Sequence, residues 1–303
     1  MQMNRRQFLA TTIAGAATSL LGRSVFAANA PALTGDPFQL VPLGKTGIKV
    51  SLVGAGTGMR GGNRQTNQTR LGKAKFEALL QYEYEKGVRV FDCADMYGTH
   101  PYLASALKAI PREKYAIFTK IWVRRGGLPE TERPDANIVV DRFRKELNTD
   151  YVDLVLIHCM TDADWCNQQK KQMDLMADLK SKGIIKAHGV SVHSLEALKA
   201  AAESPWVDSI HVRINAYGDN MDAKIEVVAP ILKQMHDAGK GIVGMKLVGE
   251  GKYRNDPEKR DGSIQYVLGL GSVSTMVVGF EKTEEVDDFA TRVKNALSEK
   301  AKA

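Results

Sequence analysis

Cysteine is scarce in this chain and poorly placed for bridging. Cys93, Cys159 and Cys166 are three among 303 residues and have no CxxC spacing. An odd number so arranged suggests neither a disulfide framework nor a zinc site. Cys93 and Cys159 fall in apolar runs, where a thiol packs as a small hydrophobe. No apolar run reaches the roughly 20 residues that a membrane span needs, so stable insertion is not expected. Lys/Arg-rich blocks are also missing, and nucleic acid is not expected as a partner. No Ser-His-Asp pattern stands out, nor do paired carboxylates, which argues against a hydrolase. No linker or low-complexity tract divides the chain.

The first thirty residues differ from the rest. Asn4-Arg5-Arg6-Gln7-Phe8-Leu9-Ala10 precedes a small-residue apolar run from Thr11 to Leu21, and Ala27-Ala28-Asn29-Ala30 stands before Pro31. A twin arginine, a short apolar region and an A-x-A ending read as a twin-arginine signal peptide over residues 1–30, cleaved near Ala30. The expected partner is the twin-arginine export machinery, and the expected location is periplasmic or otherwise extracytoplasmic. Cleavage would remove Arg5, Arg6 and Arg23 and no acid, taking the net charge from +7 to +4. Residues 31–303 then read as one domain, with the ordinary proportions of a globular chain (44% apolar, 25% charged overall).

Within that domain, strand and helix patterns alternate. After a hairpin around Lys45-Thr46-Gly47, strands are expected at Val50–Ala55, from Val88, and at Tyr115–Ile121, Val152–Cys159, Ile185–Val192, Ser209–Asn215, Ile242–Val248 and Val273–Phe280. Helical patterns intervene at Lys73–Lys86, His100–Ala109, Asn137–Leu147, Gln168–Ser181, Ser194–Ser204, Lys224–Ala238 and Ser263–Leu270, and Thr283–Leu297 closes the series. Eight strand–helix units over about 250 residues predict a (β/α)8 TIM barrel with an N-terminal β-hairpin. Gly56-Thr57-Gly58-Met59-Arg60-Gly61 matches GxGxxG, but a polar loop follows where a dinucleotide-binding Rossmann unit needs a helix. The Rossmann reading is therefore set aside.

Several predicted strands end on ionisable groups. Val88-Arg89-Val90-Phe91 runs into Asp92, with Tyr97 in the following loop; Ile117-Phe118-Thr119 ends on Lys120, and Val155-Leu156-Ile157 on His158. In a parallel barrel those ends share one face, where catalytic groups gather. A free tyrosine hydroxyl titrates near 10, too high to exchange protons readily at neutral pH. A nearby ammonium is expected to lower it, with an aspartate holding the ammonium in place. A histidine beside the tyrosine would hydrogen-bond a carbonyl oxygen. The set suits hydride addition to an aldehyde or ketone, and no metal site is expected from it. Trp122 and Met160 follow these residues and are positioned to line a substrate pocket. His188 and His193 read as packing or loop residues, and the loop from Arg124 to Asp135 as a substrate lid.

With these residues in hand, the chain resembles the aldo-keto reductase family over roughly residues 38–297. Leu43-Gly44-Lys45-Thr46-Gly47-Ile48-Lys49-Val50-Ser51 is similar to the family's opening hairpin, and Asp92-Cys93-Ala94-Asp95-Met96-Tyr97-Gly98 to its D-x-A-x-x-Y-G signature. The resemblance implies Tyr97 as general acid, Lys120 and Asp92 as its activating pair, and His158 as the group that orients the carbonyl. It implies reduction of a small-molecule carbonyl substrate with NADPH, NADH being the alternative. A cofactor-binding barrel with a regulatory role and little turnover is the competing reading.

The cofactor side carries over with losses. Gly56 and Thr57 match the loop beside the nicotinamide ribose. Ser191 fits a carboxamide contact, while Val192 stands where asparagine is usual. His211 replaces a glutamine that supports the nicotinamide, and Asn215 is retained. Lys246 and Gly249 would run along the pyrophosphate. Gly279, Lys282 and Asp288 fall in the adenosine-phosphate segment, where Glu285 occupies the position of the usual arginine.

Overall fold

The computed structural model describes residues 33–300; the expected export signal lies outside the described residues. The chain enters through a two-stranded antiparallel hairpin, β1 (Leu40–Pro42) and β2 (Lys49–Ser51), whose turn packs against the barrel. Gly44 has a left-handed φ of 52°, and a Cβ there would fall 2.4 Å from the Gly239 carbonyl oxygen. Only glycine fits both the conformation and the space. The Lys45 amide bonds that same carbonyl at 2.8 Å, tying the hairpin to the chain just ahead of the seventh barrel strand.

Eight parallel strands form the closed ring: β3 (Val53–Gly56), β4 (Val90–Asp92), β5 (Ala116–Ile121), β6 (Val152–Met160), β7 (Ile185–Val192), β8 (Ser209–Arg213), β9 (Gly241–Met245) and β10 (Thr275–Val278). β10 pairs with β9 on one side and β3 on the other, which closes the (β/α)8 barrel. Strands such as Ala116-Ile117-Phe118 and Leu154-Val155-Leu156-Ile157 are apolar without alternation, because one face meets the barrel interior and the other the helices.

The helices are α1 (Asn67–Arg70), α2 (Lys73–Lys86), α3 (His100–Ala106), α4 (Ala136–Leu147), α5 (Trp165–Gln168), α6 (Lys170–Ser181), α7 (Leu195–Glu203), α8 (Ile225–Asp237), α9 (Pro257–Leu270) and α10 (Thr283–Lys300). α2 matches its sequence-predicted span and stops at Gly87, which takes a left-handed φ of 119°. In α4 the buried Val139, Val140, Phe143 and Leu147 recur at helical spacing and lie against the sheet. Burial of Phe143 alone contributes about 2–3 kcal/mol.

Beyond the unpredicted short helix α1 and an α3 that ends at Ala106 instead of Ala109, two further helices depart from expectation. The predicted helix from Gln168 to Ser181 is broken at Gln169 into α5 and α6. α9 begins six residues earlier than its apolar pattern does. The Asp256 carboxylate caps the Lys259 amide at 3.0 Å, and Pro257 occupies the first turn.

Candidate active site

Asp92 is the last residue of β4, and Lys120 and His158 lie near the ends of β5 and β6. Adjacent parallel strands therefore bring the three side chains together. The Lys120 ammonium donates to Asp92 Oδ1 at 2.5 Å, Asp92 Oδ2 at 2.6 Å and the Cys93 carbonyl at 2.9 Å. Both side chains are buried. Burial pushes the Asp92 carboxyl up, but Lys120 and His211 outweigh it and hold it at about 2.

Tyr97 leaves a short 3-10 turn (Asp95–Tyr97), and its ring meets His158 edge-on at 5.7 Å between centroids. The Lys120 nitrogen lies 5.2 Å from the Tyr97 ring centroid, over its face. The expectation that Lys120 lowers the Tyr97 hydroxyl is not met. Burial, followed by the Asp92 charge, raises it well above 10, and the ammonium is already committed to three acceptors. Tyr97 is consequently a phenol across the neutral range.

The GxGxxG run has a local task. A Cβ on Gly58 would fall 2.3 Å from Tyr97 Cζ, and one on Gly61 2.6 Å from Tyr97 Cδ1. The two glycines let the backbone lie flat against the tyrosine ring and fix where its hydroxyl sits.

His158 is buried, with Nδ1 enclosed and unpartnered among the described residues. Burial, and then Lys120, holds it well below its usual range, so the ring is neutral. Trp122 faces it edge-on at 5.3 Å. The Trp122 indole N–H donates to the Gly126 carbonyl at 2.5 Å, and a Cβ on Gly127 would fall 2.8 Å from the indole. The loop of residues 124–135 thus clamps this wall of the pocket. It is itself held to the β3–α1 loop by the Asn63 amide on the Gly127 carbonyl (2.8 Å) and by the Arg64–Glu130 ion pair (2.7 Å). Met160 is placed differently from expectation. Cys159 takes a left-handed φ of 60° at a register shift in β6, and Met160 beyond it is buried in the hydrophobic core, not at an open rim.

Sequence reasoning missed a supporting network. Asp95, buried, accepts from Arg142 at 2.8 Å and from Arg64 at 3.4 Å. Glu146 bridges Arg142 and His100, and His100 Nε2 meets the Thr119 hydroxyl at 2.7 Å, one residue before Lys120. Apart from the i,i+4 pair Arg142–Glu146, these contacts join segments far apart in the chain, and no local pattern announces them.

The expected cofactor residues fall around the same mouth, with changes. Gly56 pairs with Asp92 across the β3–β4 register, and the Thr57 hydroxyl donates to the Asp92 carbonyl at 2.9 Å. Ser191 Oγ accepts the Cys159 amide at 2.9 Å. Asn215 holds its own loop through the Asp219 carbonyl (2.8 Å) and the Tyr217 amide (3.0 Å). Gly279 is where β10 approaches the β3 loop: a Cβ there would fall 2.5 Å from Met59 Cγ. Lys246 is paired with Glu250, and Gly249 packs against the Tyr253 ring.

Two residues are redirected. His211 is wholly enclosed and bonds Asp92 Oδ1 at 2.9 Å, so the barrel interior takes it away from a nicotinamide wall. Asp288 is bound by Arg260 at 2.6 Å and by Arg292 at 2.9 Å, in an α9–α10 ion network instead of facing an adenine. At the adenosine end Glu285 accepts from Arg254 at 2.5 Å and from the Glu281 amide at 2.8 Å, while Lys282 is exposed.

The arrangement fits a dinucleotide in its charge. Burial, with Arg213 and Lys246 close by, depresses His193 to about 4, and Arg124, Lys246 and Arg213 also act on Cys159. Arg124, Arg213 and Lys246 thus gather beside the Asp92–Lys120 pair, where a pyrophosphate would meet them, Arg213 already paired with Asp222 and Lys246 with Glu250. The adenosine end, with Glu281 and Glu285 around one arginine, suits an added phosphate less well.

The closed (β/α)8 barrel thus gathers a phenol, a neutral imidazole and a buried ammonium–carboxylate pair at its C-terminal mouth. The model of the Aldo/keto reductase family matches residues 53–265, and the chain belongs to that family. Probable aldo-keto reductase 1 of Glycine max is 26% identical over 227 residues, covering 72% of this chain and 62% of its own length. The NADH-specific methylglyoxal reductase of Escherichia coli (strain K12) is 26% identical over 205 residues, covering 61% of each chain. The chain therefore spans about six tenths of the length of these two curated relatives. The holo form of an aldo-keto reductase from Bacillus halodurans shares the fold with a TM-score of 0.65 at 18% identity, over 86% of this chain and 96% of that one.

Proposed function

We propose that the protein reduces an aldehyde or ketone to an alcohol at the expense of a nicotinamide dinucleotide. The observation that carries this reading is the buried Lys120–Asp92 pair lying against Tyr97, with neutral His158 edge-on to the phenol ring. When bound, the cofactor supplies a hydride to the carbonyl carbon. His158 is uncharged and so hydrogen-bonds the carbonyl oxygen without adding a charge to a buried site. Tyr97, held as a phenol, passes its proton to that oxygen as negative charge develops. Lys120 steadies the phenolate left behind, and Asp92 fixes Lys120. Trp122 and the loop of residues 124–135 shape the substrate side.

Ser191, Lys246 and Gly249 are the residues for the nicotinamide and pyrophosphate, with Gly56 and Thr57 beside the ribose. At the far end the Glu281–Glu285 pair disfavours a 2′-phosphate, and Lys282 is the cation available to offset it. The test is a fluorescence titration of residues 31–303 with NADH and NADPH, with methylglyoxal as the first carbonyl probe because the Escherichia coli relative is named for it. NADH binding at least as tight as NADPH, with the order reversed in Glu285→Arg, is the expected result. Failure to bind either nucleotide would sink the reductase reading.

The Arg5-Arg6 leader supports export in the folded state through the twin-arginine route to an extracytoplasmic location. Fractionation of cells producing the full chain should place the wild type outside the cytoplasm and retain the Arg5→Lys, Arg6→Lys variant inside. Equal distribution of the two would end that reading.

A further inference from the structure

Asp92 is gripped from two directions. Lys120 approaches both carboxylate oxygens from the neighbouring strand β5. His211 approaches Oδ1 from β8, 119 residues further along the chain, with Nε2 at 2.9 Å. Since Asp92 is ionised, Nε2 must carry the proton and donate it, which leaves Nδ1 as a lone-pair nitrogen. That Nδ1 is enclosed, with no partner among the described residues. The His211 ring has no exposed surface, and the Phe118 ring packs on it at 5.8 Å. A polar ring in such a place is costly unless a bond compensates it, and the bond on Asp92 is the compensation present.

We propose that His211 is a positioning residue for proton delivery: it pins the Asp92 carboxylate so that Lys120 is held over the face of Tyr97. Two oxygens held only by one flexible lysine leave the carboxylate free to turn about its last side-chain bond. A third donor on Oδ1, mounted on a buried planar ring, fixes that plane. The His211 donor also takes up part of the Asp92 charge, so the ammonium beside Tyr97 is less fully neutralised. The charged or titratable groups around the Asp92–His211 pair include Lys120, His158, Tyr97 and Cys93. His211 thereby acts on the phenol through two other side chains.

The inference rests on the proposed reductase reading for its consequence, but not for the bond itself, so the experiment has two arms. In the first, His211→Leu removes the donor and His211→Gln restores one of similar reach. With methylglyoxal as the probe, His211→Leu should lower kcat about 10- to 100-fold while KM and the dissociation constants of NADH and NADPH change little. His211→Gln should recover most of that loss. Full kcat in His211→Leu would reduce the ring to a space-filler, and kcat kept with cofactor affinity lost would return His211 to the cofactor wall.

The second arm reads the nucleotide-free protein by 15N-correlated NMR of the imidazole rings. One ring, missing in His211→Gln, should show a proton on Nε2 and no titration between about pH 5.5 and 8.5. Its N–H resonance should shift in Asp92→Asn. A proton on Nδ1, or a ring that titrates freely, would overturn the bond whatever the kinetics show, and it does so even where His211→Leu fails to fold. The reductase reading fails separately, on a wild type that binds neither nucleotide and turns over no carbonyl; the bond then stands and its role in proton delivery falls.

Discussion

Near the N-terminal ends of the strands, Asp153 accepts from Arg112 at 2.5 Å, Lys186 at 2.8 Å and the Ile117 amide at 2.9 Å. Near their C-terminal ends, Asp92 accepts from Lys120 and His211. Each is a buried aspartate with two basic partners on other strands or loops, yet their surroundings differ. The Asp153 cluster is closed by aromatic faces: Arg112 lies 4.3 Å from the Tyr151 ring centroid and Lys186 4.2 Å from the same ring. Around Asp92 the neighbouring groups keep unused atoms, namely His158 Nδ1 and His211 Nδ1.

Backbone strain follows the same division. Arg60, Asn63, Arg64, Cys159, Asn220, Lys246 and Glu250 take left-handed φ at or beyond the C-terminal ends of strands, whereas Asn148 does so as the C-cap of α4. Such conformations cost free energy and persist where the rest of the fold over-determines them. Unpartnered buried atoms are not confined to one end, since Ser272 Oγ and Thr275 Oγ1 at the start of β10 also lack partners among the described residues. What sets the Asp92 end apart is two imidazole nitrogens without partners beside an ionised pair.

The sharpest way to break this comparison is to exchange the expected losses. Tyr97→Phe should lower kcat/KM for a carbonyl probe by about 10²- to 10⁴-fold and leave the melting temperature where it was. Asp153→Asn should do the reverse, costing about 1–3 kcal/mol in a denaturant titration while kcat stays near the wild-type value. Turnover lost in Asp153→Asn without loss of stability would erase the distinction between the two ends.

The smallest effect concerns Glu83, a buried acid of α2 whose Oε2 has no partner among the described residues. Burial raises it to about 8. An acid raised in the fold binds a proton that the unfolded chain releases above about 4.5, so this group makes stability fall as pH rises from 4.5 towards 8. Glu83→Gln should flatten that slope, read as melting temperatures at both ends of the window. Parallel slopes in the two proteins would show that Glu83 is solvated and charged in the native state.

The order of strands and helices was legible because apolar period changes with element type, and α2 was read to its end because Gly87 stops it. Asp92, Lys120 and His158 were legible because each ends or nearly ends a recognisable strand. What stayed hidden is non-local. Whether His211 faces a ligand or Asp92 depends on how β8 is rotated against β4, which no stretch of sequence encodes. Gly58 and Gly61 match a nucleotide motif that the polar loop after them sets aside, but the spacing does not show that they make room for an aromatic ring. Met160 was expected to line a substrate pocket; it is buried in the core beyond a left-handed Cys159 at a register shift in β6, of which a non-glycine residue gives no warning.

Closure of the ring also has a consequence for the order of assembly. Met276 pairs with Val53 across more than 200 residues of chain, whereas Asp92, Lys120 and His158 come from strands joined in succession. Long-range pairings pay a large loop-closure entropy before they are rewarded. As the chain leaves the ribosome, the strands that carry Asp92, Lys120 and His158 are available while the seam beside Gly56 and Gly279 is still open. The ring is therefore complete only once the last strand, Thr275–Val278, has been made.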